Sequence, residues 1–160
     1  MRRGFTLIEV LLYTALLGII LGTFVLTTAT ILEARAKSQT ALMLNEGARY
    51  AMERIALRAA NASAVTEPAA GVGSALTLTM PTPSQNPTAF TLSGGIVMIA
   101  EGGGPAVPLT GSHLEVTALS FTRMPGTPPT IRVVLDARLR NAQGKFHTAA
   151  HFEQTISTRR

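Results

Sequence analysis

The sequence predicts an α+β fold: a long N-terminal helix, transmembrane in its first half and amphipathic in its second, packed on a small antiparallel β-sheet. Three observations carry this. Phe5 to Leu32 is a nearly unbroken apolar run with one charge, Glu9, and no proline. Leu44, Ala48, Ala51, Ile55 and Ala59 then recur at steps of three and four, the spacing of one helix face. Beyond Pro68 and Gly71 the chain changes to short alternating runs separated by Gly- and Pro-rich turns, the pattern of antiparallel strands.

The apolar run comes first in the chain and in importance. A bilayer core is crossed by about 20 mainly apolar residues, and Phe5 to Leu32 supplies 28. Arg2 and Arg3 precede it, which holds that end in the cytoplasm and places the remainder of the chain outside. A secretory signal peptide has an apolar region of only about 7–15 residues before its cleavage site. Here the run is longer, and TTATILEARAKS leads straight into a helix-favouring segment. In an ordinary uncleaved anchor Glu9 would be a costly accident, since a carboxylate at the membrane centre costs about 2.5–3.5 kcal/mol on insertion scales and less near an end.

No basic side chain within the run can answer Glu9, so a partner must come from another molecule or from a newly made terminus. A cut after Gly4 would create an amine at Phe5, one helical turn from Glu9 and on the same side. Pairing of amine and acid, within one chain or between neighbours, would relieve the desolvation of both charges and set register.

Arg3-Gly4-Phe5-Thr6-Leu7-Ile8-Glu9-Val10 followed by an apolar helix resembles the processing site of type IV pilins and type II secretion pseudopilins. In that family a membrane aspartic peptidase cuts after the glycine and methylates the new N-terminal residue. The resemblance implies that Gly4 ends the leader, Phe5 is the methylated terminus and Glu9 is the assembly acid. It implies as partners the prepilin peptidase, an inner-membrane assembly platform, other pilin or pseudopilin subunits and membrane lipid. The chain then divides into a leader (1–4), a transmembrane and assembly segment (5–32), an amphipathic continuation (33–63) and a β-rich periplasmic or extracellular head (64–160). Gly18 and Gly22 form a G-x-x-x-G pair, which lets apolar helices approach closely. Many family members carry a proline later in this helix; this chain has none through Arg58. The acidic calcium loop of major pseudopilins and the C-terminal cysteine pair of many major pilins are both absent from the sequence. Those departures point to a minor subunit, and Glu9 argues against the tip subunit type that lacks the acid.

In the amphipathic continuation the alanine-rich stripe faces one way and Arg35, Lys37, Glu46, Arg49, Glu53 and Arg58 supply the other side. The helix ends near Asn61-Ala62-Ser63, giving about 55 residues or ~80 Å at 1.5 Å per residue. In the head, Leu76–Met80 alternates, and PTPSQNP reads as a loop. Ala89–Leu92 and Ile96–Ala100 flank a hairpin turn at Ser93-Gly94-Gly95, and Gly102-Gly103-Gly104-Pro105 is a second turn. Leu114–Arg123, Ile131–Arg140 and Phe146–Ser157 follow as three long strands of a meander. In Ile131–Arg140 the odd positions are apolar, and Arg132, Arg138 and Arg140 lie on the outer face. The alanine face of the helix is suited to cover such a sheet.

The chain has 160 residues, no cysteine and a formal net charge of +5. Without cysteine there is no disulfide framework and no thiolate chemistry. Charge is uneven: residues 59–122 carry −3 and residues 123–160 carry +5. No nucleophile–base constellation stands out. His113, His147 and His151 are the only histidines, and His147, His151 and Glu153 make a poor metal set without a recognised motif. No enzyme activity, cofactor or metal is predicted.

The leading functional expectation is a structural, non-enzymatic minor pilin or pseudopilin assembled into a pilus-like or secretion filament. One alternative is a DNA-uptake (competence) pilus subunit, with Arg132, Arg138, Arg140 and Lys145 as anionic-partner contacts and a steep salt dependence of binding. Another is a membrane-anchored exported protein whose anchor stays uncleaved.

Overall fold

The computed structural model describes residues 6–140 and 149–158. The chain divides into two compact units, Met1–Gln39 and Thr40–Arg160. One long helix, α1 (Leu7–Asn61, 55 residues), begins in the first and ends in the second. Its length and end agree with the periodicity of the sequence. The helix stops without a proline at its end. Ala62 and Ser63 leave it, and the backbone N–H of Ser63 already donates to Thr79 O at 2.9 Å.

In the first unit α1 is apolar on all sides from Val10 to Leu32, apart from a few threonines. Leu7 is 80% exposed and Phe24 69%, so this segment buries none of its large side chains within the chain. It is the one helix among the described residues that is long and apolar enough to cross a membrane.

The second unit holds the core. Leu44, Ala48, Ala51, Ile55 and Ala59, the residues of the predicted stripe, are buried, and Met52 joins them. They belong to one apolar cluster with strand residues such as Leu76, Phe90, Val97, Phe121, Val133 and Leu135. Small side chains on the helix bring its backbone close to the strands. A Cβ placed on Gly47 would lie 3.5 Å from a Leu114 methyl.

The described residues form the strands β1 (Ala64–Glu67), β2 (Gly71–Gly73), β3 (Leu76–Thr79), β4 (Thr88–Ser93), β5 (Ile96–Glu101), β6 (Val107–Pro108), β7 (Leu114–Met124), β8 (Thr130–Leu139) and β9 (Ala149–Ser157). The sequence predicts one small sheet; the strands divide into two, both antiparallel, in the orders β1-β3-β4-β5-β6 and β2-β7-β8-β9. The chain visits the second sheet briefly at β2, returns to the first for β3 to β6, and residues 109–113 then lead from β6 to β7. β1, β2 and β6 are two to four residues long, too short for alternation to be read.

The predicted hairpin is present, with Gly94 and Gly95 at positive φ between β4 and β5. The three-strand meander is present as β7-β8-β9. The predicted last strand begins at Phe146, and residues 146–148 lie outside the described residues. β8 alternates as predicted: Ile131, Val133, Leu135 and Ala137 are buried, with Arg132, Val134, Asp136 and Arg138 alternating with them on the opposite face. The sheets are tied together at one corner. Val116 N–H donates to Gly95 O at 2.8 Å and Arg140 donates to Gly94 O at 2.9 Å.

Candidate functional site

Glu9 lies in the first turn of α1, where the helix dipole favours a negative charge. The N–H groups of Glu9 and Val10 both reach Thr6 O, at 3.1 and 3.3 Å, so the helix is formed from its first residues. The threonines further along the run are satisfied by the helix itself. Thr14 donates to Val10 O and Leu11 O, Thr23 to Ile20 O, Thr27 to Thr23 O, Thr28 to Phe24 O and Thr30 to Thr27 O. Turning inwards in this way removes the cost of an unpaired hydroxyl in an apolar medium. Glu9 differs from these threonines: a carboxylate can only accept, so it cannot donate to a carbonyl of the preceding turn as they do.

Gly18 and Gly22 stand in open surroundings, with nothing within 4 Å of a Cβ placed on either. Gly18 is nine residues past Glu9, about two and a half turns at 3.6 residues per turn. The glycine pair therefore lies on the side of α1 opposite the acid. Gly4 and Phe5, the expected processing residues, lie outside the described residues.

The family model for the prokaryotic N-terminal methylation motif matches residues 1–25. The chain carries the signature of type IV pilins and pseudopilins. That signature and the apolar helix together fit a protein anchored in the inner membrane. The family it marks is structural rather than enzymatic, and its members are processed and assemble with other pilin subunits. No curated protein and no solved structure matches the chain.

The arginines of the outer sheet face are engaged within the head. Arg132 pairs with Glu153 at 2.7 Å, Arg138 pairs with Glu115 at 2.9 Å, and Arg140 donates to the Gly94 carbonyl. Hydrogen bonds from these arginines hold Glu115 and Glu153 below the usual carboxylate range, and the same bonds raise Arg132 and Arg138. DNA contact through Arg132 or Arg138 would require them to leave or share those carboxylates. Lys145 lies outside the described residues.

His151 Nδ1 is 2.6 Å from Asp136 Oδ1 on the same face. His147 lies outside the described residues, and no group of three side chains suited to a metal is assembled among the described ones. His113 instead lines a shallow groove of about 520 Å³ with Met43, Tyr50 and Leu109. Sequence reasoning did not find two ties that hold the head together. Arg123 reaches the carbonyls of Val65 and Ala69, at 3.0 and 3.1 Å, and Arg58 meets Glu101. Neither pairing leaves a local pattern in the sequence.

Proposed function

We propose that this chain is a minor, non-enzymatic filament subunit of a type IV pilus-like or secretion system. It is made as a membrane-anchored precursor with its N-terminus in the cytoplasm and residues 64–160 outside. Cleavage after Gly4 and methylation of Phe5 then prepare it for extraction from the bilayer into a filament. Prepilin peptidase, the inner-membrane assembly platform, lipid and other subunits are its partners in turn. The observation that carries this reading is Glu9: it is the single acid of the apolar run that ends at Leu32, whose threonines largely bond to their own helix, and it sits within the matched motif.

In the filament, apolar helices exchange lipid contacts for one another, and Glu9 opposite a Phe5 amine sets the axial step. Gly18 and Gly22, on the other side of the helix, admit a second neighbour at close range. Acid and glycines thus address different subunits.

Intact mass of the membrane-extracted protein tests the reading. Cleavage leaves 156 residues and lowers the formal side-chain charge from +5 to +3, and methylation adds one methyl group. A mature protein that still begins at Met1 would rule the reading out and favour an uncleaved anchor.

A further inference from the structure

Among the described residues two sheets present four edges, and three of them are blunted. β1 has four residues and an irregular register between Val65 and Glu67. β2 has three, two of them glycine. β6 has two and ends in Pro108. Short strands, bulges and proline are the usual devices that stop a sheet edge from recruiting another strand. β9 is neither short, bulged nor broken by proline, and its one acid, Glu153, is paired with Arg132 of β8. It runs nine residues, Ala149–Ser157, pairs with β8 in unbroken register, contains no proline or lysine, and is hydrogen-bonded to no other described strand. Its far end is pinned by Thr158, which donates to Pro129 O through N–H and hydroxyl at 3.1 and 3.2 Å. Among the described residues the edge is long, regular and unpaired.

We propose that β9 is a docking edge for β9 of a second copy of this chain, joined antiparallel about a two-fold axis at Phe152. A strand added to an open edge gains main-chain hydrogen bonds, while side chains choose the partner and register. A symmetric antiparallel pairing centred on Phe152 sets His151 opposite Glu153 twice, Phe152 opposite Phe152, and Ala150 opposite Gln154. Ring meets ring, a favourable cross-strand pair, and acid meets imidazole next to their existing partners Arg132 and Asp136 on β8. Centring on Glu153 would oppose two carboxylates, and centring on His151 would oppose two imidazoles. The sequence of the strand thus selects one of these registers. Such an isologous contact closes in pairs and does not propagate. It is independent of the filament reading: it joins two anchored subunits, or subunits of adjacent filaments, and its failure would leave that reading untouched.

The absence of native cysteine makes the register testable in the full-length chain. Two tagged variants, His151→Cys and Glu153→Cys, are co-expressed in membranes and oxidised. Directly opposed Cβ atoms are about 4.5–5.5 Å apart and diagonal ones about 7–8 Å, so only the former approach disulfide reach. A disulfide between the two variants, and little in either variant alone, is the expected result. Failure of the mixed pair to cross-link, equal cross-linking within each variant, or capture of a different protein would overturn the proposal. Hydrogen exchange of the unmodified chain in detergent micelles gives a reading free of substitutions. Raising the chain-to-micelle ratio should slow alternate amides of β9 by about tenfold or more while β8 is unchanged; equal protection at both ratios would also overturn it.

Discussion

Arg58, in the last turn of α1, places its Nε 2.7 Å from Glu101 Oε1, at the end of β5, with the arginine side chain only 12% exposed. This ion pair fastens the end of the helix to the sheet that follows it. Removing one partner strands the other in a partly desolvated position.

Arg58→Ala and Glu101→Gln should therefore each lower head-domain stability by about 1–3 kcal/mol. Denaturant unfolding would show it, with the slope unchanged and the midpoint moved. Because the pair is largely shielded, added salt should recover little of the loss. Wild-type midpoints in both variants would show that the contact contributes nothing.

Gly102 has φ +60 and packs so closely on the loop at Ser84 that a Cβ would collide with the Ser84 carbonyl oxygen. Gly94 has φ +58 with nothing within 4 Å. Both alanine variants incur backbone strain of about 1 kcal/mol, and only Gly102→Ala adds a clash with main chain. It should be the more destabilised of the two in thermal melts.

Glu115 and Glu153 have carboxyls held below their ordinary range, first by hydrogen bonds from Arg138 and Arg132. A group lowered on folding stabilises the native state above its unfolded pKa, and that contribution is lost as pH falls through the folded value. Thermal midpoints should thus fall as pH drops below roughly 4. The double variant Glu115→Gln/Glu153→Gln should start lower at neutral pH and show a shallower acid decline. An acid decline as steep as wild type would place the acid sensitivity elsewhere.

Glu9→Ala should insert in the membrane and be cleaved as the parent is, while incorporation into filaments falls by at least about tenfold. Sheared-filament yield against membrane content separates the two. Normal incorporation would remove the acid from the mechanism.

Gly18→Leu adds a side chain where the helix has open space, so precursor stability and cleavage should be unchanged. Filament incorporation should drop because the added side chain blocks close helix approach. Ile19→Leu, at the next position round the helix, serves as the control and should be tolerated.

Much of this protein was legible because its chemistry is periodic or local. The stripe from Leu44 to Ala59 announces its buried face through spacing alone, and Ser93-Gly94-Gly95 announces a hairpin through turn chemistry. The alternation in Ile131–Arg140 distinguishes the inner and outer faces of β8. The division into two sheets was not legible, because β1, β2 and β6 are shorter than the period that would reveal them. Arg58 and Glu101 are 43 positions apart, and such a pairing has no signature until the chain is folded. The outward arginines were read correctly as to face, yet their carboxylate partners depend on cross-strand register, which composition does not encode.

The threonines of the apolar helix bend their hydroxyls onto their own backbone, so adjoining rods in a fibre would meet through contacts without direction. In the filament proposed above, axial register would then rest on the single acid and the glycine face rather than on the hydroxyls of this helix.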